Sequence, residues 1–172
     1  MSDVNFAKRP AGPPLLFLRD KELREGIELL FYAYRDFTRE PDEILHSLGL
    51  GRDHHRALHF IGRNPSITVS ELVAILGITK QSLARVLRDL IDGGYIAQMA
   101  GESDRRRRHL SLTESGLALE QRLSAPQRAR FARAFRDAGP EAVDGFRRVL
   151  IGLIDEPERE RIVGSFSERE SG

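Results

Sequence analysis

A short apolar stripe in the middle of the chain constrains its fold more than any other feature. Apolar residues recur at i, i+3, i+4 and i+7 between Leu83 and Leu90, the spacing of one buried face of an α-helix. Thr79 stands where an N-cap is needed, and Gly93-Gly94 supplies the left-handed conformation in which helices often end. The stripe therefore predicts a short, sharply bounded helix with one buried face and one free face.

A second, shorter helix precedes it. Thr68-Val69-Ser70-Glu71 has the pattern of a capping box, in which Thr68 accepts from the amide of Glu71 and the glutamate reaches back. The apolar residues that follow stop at Gly77, and only Ile78 separates this glycine from the cap of the next helix. Two helices joined by so tight a turn predict a helix-turn-helix.

The hydrophobic period changes after Gly94. Tyr95 to Met99 and Arg108 to Leu112 read as two short strands, because their apolar and polar residues alternate. The eight residues from Ala100 to Arg107 are polar and end in three consecutive arginines. Arg108 extends this run to four. The pattern predicts a hairpin with a basic tip.

Helices are predicted on both sides of this unit. From Asp20, one stripe of helical period carries Leu23, Ile27, Leu30, Phe31 and Tyr34. We expect Pro41 to end this helix or to begin the next element, and a second helix runs from about Asp53 to Ile61.

The C-terminal half continues with helical patterns. Thr113 restarts a helix, Pro126 is expected to kink or break it, and the pattern resumes to about Ala138. A last helix follows Gly139-Pro140, with its stripe at Val143, Phe146, Leu150 and Leu153. We expect residues 1–14, rich in proline and glycine, to form a flexible arm and residues 156–172 to fray.

The net charge of +1 hides an uneven distribution. Residues 20–43 hold eight acids and four bases, whereas residues 79–109 hold seven bases and four acids. Although most charge runs are solvated surface, this basic middle segment is typical of a phosphate-binding surface.

Composition and motifs exclude several classes of protein. The absence of cysteine excludes disulfides, thiolate catalysis and cysteine-bound zinc. The chain has no P-loop, no GxSxG and no Rossmann glycines, so we predict no enzyme and no cofactor. Apolar runs such as Leu15 to Leu18 are far too short for a membrane span, and the N-terminus lacks a signal-peptide pattern. We therefore expect a soluble cytoplasmic protein that does not bind membranes.

At this point the sequence resembles the MarR family of winged helix-turn-helix transcriptional regulators. Asp104-Arg105-Arg106, followed after five residues by Leu112-Thr113-Glu114-Ser115-Gly116, fits the family's wing signature without insertion or deletion. Residues Leu58 to Ile96 are similar to the family's helix-turn-helix, and the resemblance covers roughly residues 20–155.

The resemblance implies a fold and an assembly. The fold is mainly α (α+β), with a winged helix-turn-helix lobe at about residues 53–112 whose wing is two-stranded. Within a MarR-type domain of residues 15–155, helices at about 15–39 and 113–155 would build a homodimer.

Double-stranded DNA is the implied partner, and the free face of the helix after Thr79 would contact it. Gln81, Arg85 and Arg88 form the stripe opposite the buried leucines. Arginine can bind guanine and glutamine can bind adenine bidentately, so Arg85 and Gln81 are the candidate base readers. Lys80 and Ser82 lie in the first turn, where Lys80 suits a phosphate.

In the wing, the resemblance places Arg106 in the minor groove, with Asp104 orienting its side chain. Arg105 and Arg107 would then contact phosphates or stabilise the hairpin, as would Arg108. The tip departs from the family, because Gly101-Glu102-Ser103 stands where a proline-containing turn is usual.

Aromatic residues between Phe31 and Phe37 occupy more than one face of the first helix, which favours burial against a second subunit or a crevice. The resemblance implies a small anionic, often phenolic, effector bound between the two regions, and Tyr34, His55 and His59 are the candidate pocket residues. His55 and His59 are also spaced i and i+4, as in some metal sites, but the HExxH pattern is absent and we predict no metal site.

The sequence thus predicts a homodimeric, sequence-specific DNA-binding regulator, more often a repressor in such families, acting on a pseudo-palindromic operator and released by a small molecule. Two alternatives remain open. One is a winged-helix protein-interaction module that does not read DNA, and the other is a metal-responsive regulator.

Overall fold

A computed structural model describes residues 16–100 and 108–170 of the chain. The described helices, after a 3-10 turn at Leu16–Leu18, are α1 Asp20–Ser47, α2 Arg52–Arg63, α3 Val69–Leu76, α4 Lys80–Asp92, α5 Glu114–Ala138, α6 Pro140–Leu153 and α7 Glu156–Glu170. The described strands are β1 Ile67–Thr68, β2 Ile96–Ala100 and β3 Arg108–Leu112. The predicted N-terminal arm and the tip of the wing lie outside the described residues. None of the described helices is both long and apolar enough to span a bilayer.

The predicted caps of the helix-turn-helix are present. Thr68 Oγ1 accepts from the Glu71 amide at 3.3 Å, and the Glu71 carboxylate accepts from the Thr68 amide at 2.8 Å. Thr79 Oγ1 accepts from the amide of Ser82 at 3.1 Å. Gly94, which follows α4, has a left-handed φ of 73°. This conformation ends the helix, as predicted. Local side-chain chemistry therefore sets the bounds of α3 and α4.

One apolar core lies beneath the helix-turn-helix. All four apolar stripe residues of α4 are buried, and they pack with residues of α2, α3 and the sheet. Leu58 of α2, Leu72 of α3 and Leu110 of β3 are fully buried at the centre of this core. Burying the stripe of α4 on the lobe leaves its charged face outward.

The sheet has three strands rather than the two expected of the wing. β3 lies in the middle and pairs antiparallel with β2 on one side and β1 on the other. Ile96 faces Leu112 across the β2–β3 pair, and Ile67 faces Leu110 across the β1–β3 pair. β1 is only two residues long, so it carries no alternating run by which its sequence could reveal it.

We expected α1 to end at Pro41 or the next element to begin there. Instead, α1 continues through Pro41 to Ser47. A proline inside a helix lacks the amide that would donate to the carbonyl four residues earlier, here Phe37. The Gln127 side-chain amide of α5 donates to that Phe37 oxygen at 3.5 Å, and the ring of Pro41 is fully buried. Tertiary contacts therefore compensate for the missing bond and carry the helix past the proline.

α5 likewise runs from Glu114 to Ala138 without a break at Pro126. Leu119 and Leu123 are buried on the N-terminal side of the proline. On its C-terminal side Phe131 packs edge-on against Phe37 of α1, with ring centroids 5.5 Å apart. Both halves of α5 are thus anchored, which holds them in one helix.

We expected residues 156–172 to fray, but Glu156–Glu170 form α7. Acidic residues occupy its first turn, where the helix dipole favours negative charge. The Arg159 guanidinium donates to the Ile154 carbonyl at 2.8 Å, which joins the start of α7 to the end of α6. The acidic residues that favour a helix start were present in the sequence. The alternation of charged and small residues after them gave no helical period, so the helix was not predicted.

The wing base and α5 meet at an unusually close contact. Thr113 donates from its amide to the Tyr95 carbonyl at 3.1 Å and from its hydroxyl to the Gly94 carbonyl at 2.7 Å. Gly116 donates its amide to Thr113 Oγ1 at 3.0 Å and is itself buried. A Cβ atom on residue 116 would lie 1.9 Å from the Tyr95 oxygen, so only glycine fits.

Gly116→Ala is expected to lower the free energy of unfolding by about 3 kcal/mol, because the added methyl overlaps a backbone carbonyl that cannot move aside. Gly145→Ala is the matched control, since nothing lies within 4 Å of a Cβ there and alanine favours helix by up to about 1 kcal/mol. Urea titration followed by circular dichroism measures both. Equal midpoints for the two variants would contradict the packing described at residue 116.

Candidate nucleic-acid interface

The outward face of α4 carries an unpaired basic ridge, which we define as Lys80, Gln81, Arg85 and Arg88. All four side chains are exposed. Within the described part of the chain, none of them forms an ion pair or a side-chain hydrogen bond. Arginine and lysine side chains without internal partners on a rigid helix are available to anionic ligands such as phosphates.

Ser82, the fifth candidate on α4, has a different setting. Its hydroxyl accepts from Thr79 Oγ1 at 3.0 Å, and its amide donates to the same oxygen. The side chain is half-buried. Ser82 therefore takes part in the N-cap of α4. The basic ridge begins at this same N-terminal end of the helix.

An interaction that sequence reasoning missed fixes α4 against α2. His54 Nε2 lies 3.0 Å from Asp89 Oδ2, and His54 Nδ1 accepts from the amide of Gly51 at 3.0 Å. Because Nδ1 is the acceptor, the ring proton is on Nε2 and is donated to the carboxylate. The His54 side chain is only 14% exposed, so the imidazole is held in place. Thirty-five residues separate this pair, and no local pattern indicates it.

The wing strands carry a further basic residue. Arg108 is exposed at the start of β3, opposite Ala100 in the register of the hairpin. The neighbouring His109 donates from Nδ1 to the Ser66 carbonyl at 2.7 Å, and Ser66 has a left-handed φ of 62°. This bond braces the wing base against the turn before β1. The other wing candidates, Asp104, Arg105, Arg106 and Arg107, lie outside the described residues.

The three effector-pocket candidates fall into two groups. Tyr34 accepts at its hydroxyl from Arg56 Nη2 at 3.2 Å, and the Arg52 guanidinium lies 5.7 Å from its ring centroid. His59 Nδ1 pairs with Glu120 of α5 at 3.3 Å, and His55 is half-buried on the same helix. No cavity described for residues 16–100 and 108–170 is lined by all three. Nor do three metal-ligating side chains come together within those ranges.

Tyr34 instead borders an apolar groove between α1, α5 and α6, with a volume of about 460 Å³. Its floor includes Phe37, Phe131, Phe135 and Phe146, whose rings pack edge-on or tilted. The groove is continuous with the exposed stripe of α1, where Ile27 is 70% exposed. The predicted stripe of α6 is likewise unburied within the described chain. This surface is too apolar for a face left to water.

Comparisons with known proteins agree on one family. A family model described as MarR family matches residues 48–107. The HTH-type transcriptional regulator PetP of Rhodobacter capsulatus is 56% identical over 146 residues, covering 85% of this chain and 88% of PetP. The HTH-type transcriptional repressor Rv2887 of Mycobacterium tuberculosis is 32% identical over 122 residues, covering 71% of this chain and 88% of the repressor.

Solved structures show the same architecture. The MarR family protein Rv2887 in complex with p-aminosalicylic acid superposes with a TM-score of 0.52 at 29% identity, covering 73% of this chain and 95% of that chain. A mutant MarR from Escherichia coli complexed with operator DNA has a TM-score of 0.59 at 21% identity, covering 81% of this chain and 99% of that chain. The second likeness shows the fold alone.

The free energy of unfolding should depend on pH through His55. Burial, followed by the charge of nearby His59, lowers the pKa of His55 from its ordinary value of about 6.5. The unfolded chain then binds the proton more tightly, so stability is full above pH 6.5 and falls as pH decreases towards the folded-state pKa. The slope is at most about 1.4 kcal/mol per pH unit for one proton.

Urea titrations at pH 7.5, 6.5 and 5.5 measure this dependence. His55→Gln should flatten the profile, whereas His46→Gln, which removes an exposed imidazole, serves as the control. Parallel profiles for wild type and His55→Gln would assign the pH dependence to another group.

Proposed function

Because the chain belongs to the MarR family of transcriptional regulators, we propose that it is a homodimeric repressor that binds a pseudo-palindromic operator. Members of this family regulate transcription and are not enzymes, which confirms the prediction of no catalytic activity. The observation that carries the proposal is the basic ridge, which is exposed on a capped helix and has no partner among the described residues. Since the target is genomic DNA, the proposal includes a cytoplasmic location.

In this proposal α4 is the recognition helix. The helix-turn-helix presents the N-terminal half of its second helix to the major groove. Arg85 and Gln81 would read base edges, and Lys80 would contact a phosphate near the N-terminus of α4. Ser82 would contribute through the geometry of that N-terminus, since its hydroxyl is bound to Thr79.

The wing would contact the DNA flanking the major groove. By the family resemblance, Arg106 enters the minor groove with Asp104 orienting it, while Arg105 and Arg107 contact phosphates. Arg108, exposed at the base of the hairpin, adds a basic side chain to the described part of the wing. We assign the DNA-binding lobe to residues 53–112.

A second copy of the chain is the proposed occupant of the apolar groove. A lone copy would leave the stripe of α1 in water, with Ile27 70% and Phe31 63% exposed. A two-fold axis lets the same surface bury itself twice, with α1, α5 and α6 forming the interface. Two recognition helices would then lie about 34 Å apart, one helical turn of DNA. The sequence predicts dimerisation through helices at about residues 15–39 and 113–155, and α1, α5 and α6 contain most of these residues. α1 extends beyond the predicted range, to Ser47.

We also propose that a small aromatic anion acts as effector. The relative Rv2887 has been solved with p-aminosalicylic acid, a ligand of that class. In this chain the guanidinium groups of Arg52 and Arg56 lie beside Tyr34, where they are paired with Asp42 at 2.6 Å and Asp53 at 3.2 Å. An aromatic carboxylate would bind there by replacing one of these carboxylates and stacking on the tyrosine ring. Such a ligand would change DNA affinity only by binding one arrangement of the dimer more tightly than the other.

Selection of bound sequences from a pool of random duplexes tests the DNA-binding proposal. The expected product is an inverted repeat with half-sites about 10 base pairs apart, bound with an affinity that falls steeply between 50 and 200 mM salt. A protein-interaction module would enrich no sequence. Enrichment of unrelated sequences without a repeat would contradict the homodimeric arrangement.

Arg85→Ala should weaken binding to the selected duplex by about 1–3 kcal/mol and relax the base preference at one position of each half-site. Fluorescence anisotropy with single-base variants of the duplex measures both effects. Arg161→Ala, which removes an exposed arginine from α7, is the matched control and should bind as wild type. Equal losses for the two variants would show that Arg85 contributes charge alone.

Ile27→Glu should raise the Kd of the dimer by at least about 100-fold, because each interface would bury an unpaired carboxylate. The residue is 70% exposed in one copy, so the fold of that copy is expected to tolerate the charge. Light scattering gives the mass, and Glu25→Lys on the opposite side of α1 is the control. A dimeric Ile27→Glu protein would place the interface elsewhere.

A further inference from the structure

We propose that His54 keeps Arg85 available to DNA by holding the Asp89 carboxylate away from it. The inference rests on the proposed DNA-binding function and assigns a positioning residue to it. His54 is not on the recognition helix and would not contact DNA. Its role would be to fix the partner of Asp89, an acidic side chain on the same helix as the basic ridge.

Helix geometry makes Asp89 the natural partner of Arg85. The two residues are four apart on α4, and side chains at i and i+4 lie on one face about 5–6 Å apart at their Cβ atoms. An arginine and an aspartate at this spacing can form an ion pair. Such a pair would neutralise the guanidinium and fix it along the helix surface instead of outward.

The structure shows a different pairing. Asp89 Oδ2 accepts from His54 Nε2 at 3.0 Å, and within the described residues Arg85 forms no ion pair. The imidazole cannot swing away easily, because its other nitrogen is bound to the Gly51 amide and its side chain is mostly buried. The start of α2 therefore captures the Asp89 carboxylate.

The capture has two consequences for an anionic ligand. First, the Arg85 guanidinium keeps its five donors for bases or phosphates instead of sharing them with a carboxylate. Second, the negative charge of Asp89 is held towards α2, at the edge of the surface that phosphates would approach. Asp92 offers an internal comparison: it is exposed four residues after Arg88, and no ion pair is described between the two, so this spacing permits a pair without requiring one.

A double-mutant cycle tests the proposal. Wild type, His54→Ala, Asp89→Ala and the double variant are titrated by anisotropy against the duplex recovered by selection, with a scrambled duplex as reference. His54→Ala should weaken specific binding by about 2- to 5-fold, since Asp89 is then free to pair with Arg85 in each copy of the dimer. Asp89→Ala should bind at least as tightly as wild type, and the double variant should match Asp89→Ala.

The rescue by Asp89→Ala separates this role from a structural one. If His54 only capped α2, the double variant would stay as weak as His54→Ala, which would overturn the proposal. His54→Ala/Asp92→Ala is the matched control and should remain weak, because Asp92 is not the captured carboxylate. If Asp92→Ala also restored binding, the affinity would depend only on the net charge of the helix. That result would overturn the proposal as well.

A second variant guards against a folding defect. His54→Asn keeps an acceptor for the Gly51 amide but is too short to hold Asp89, and thermal unfolding of each variant reports its stability. If wild type binds the selected duplex and both His54 variants bind equally well, the inference fails while the proposed function stands. If wild type enriches no duplex, the proposed function fails and the inference falls with it.

Discussion

The close approach of Gly116 to the Tyr95 carbonyl is the contact on which the arrangement of the molecule depends. It joins three elements at one point: the exit from α4, the first strand of the wing and the start of α5. Thr113 supplies the hydrogen bonds that hold the junction, and a side chain at residue 116 would force it open. The position of the basic ridge relative to the proposed dimer helices is therefore set by a backbone contact that only glycine permits.

Electrostatics acts locally in this protein. A net charge of +1 gives no general attraction to DNA, so the proposed function depends on where individual charges point. α4 carries acidic residues as well as the basic ridge, and the His54–Asp89 bond shows one way in which a carboxylate is held aside. The same surface would be far less suited to phosphates if each arginine were paired with its nearest acid along the helix.

In the proposed dimer, the apolar groove and the exposed stripe of α1 would connect assembly to regulation. α1 and α5 pack on each other through Phe37 and Phe131, and α5 continues directly from the wing base. A change in how two copies pack through these helices would therefore move the two lobes relative to each other. In the proposed dimer, an effector near Tyr34 would act by favouring one such packing, which is a population shift and needs no new contact with DNA.

The sequence by itself determined the helix-turn-helix, its caps at Thr68 and Thr79, and the buried and free faces of α4. These features depend on residues within about four positions of each other, so spacing and residue type are sufficient to predict them. Only the tertiary structure decided that α1 passes Pro41 with the help of Gln127, that a third strand joins the wing, and that His54 captures Asp89. Each of these joins residues far apart in the chain, and such pairings exist only because packing of the core brings their elements together.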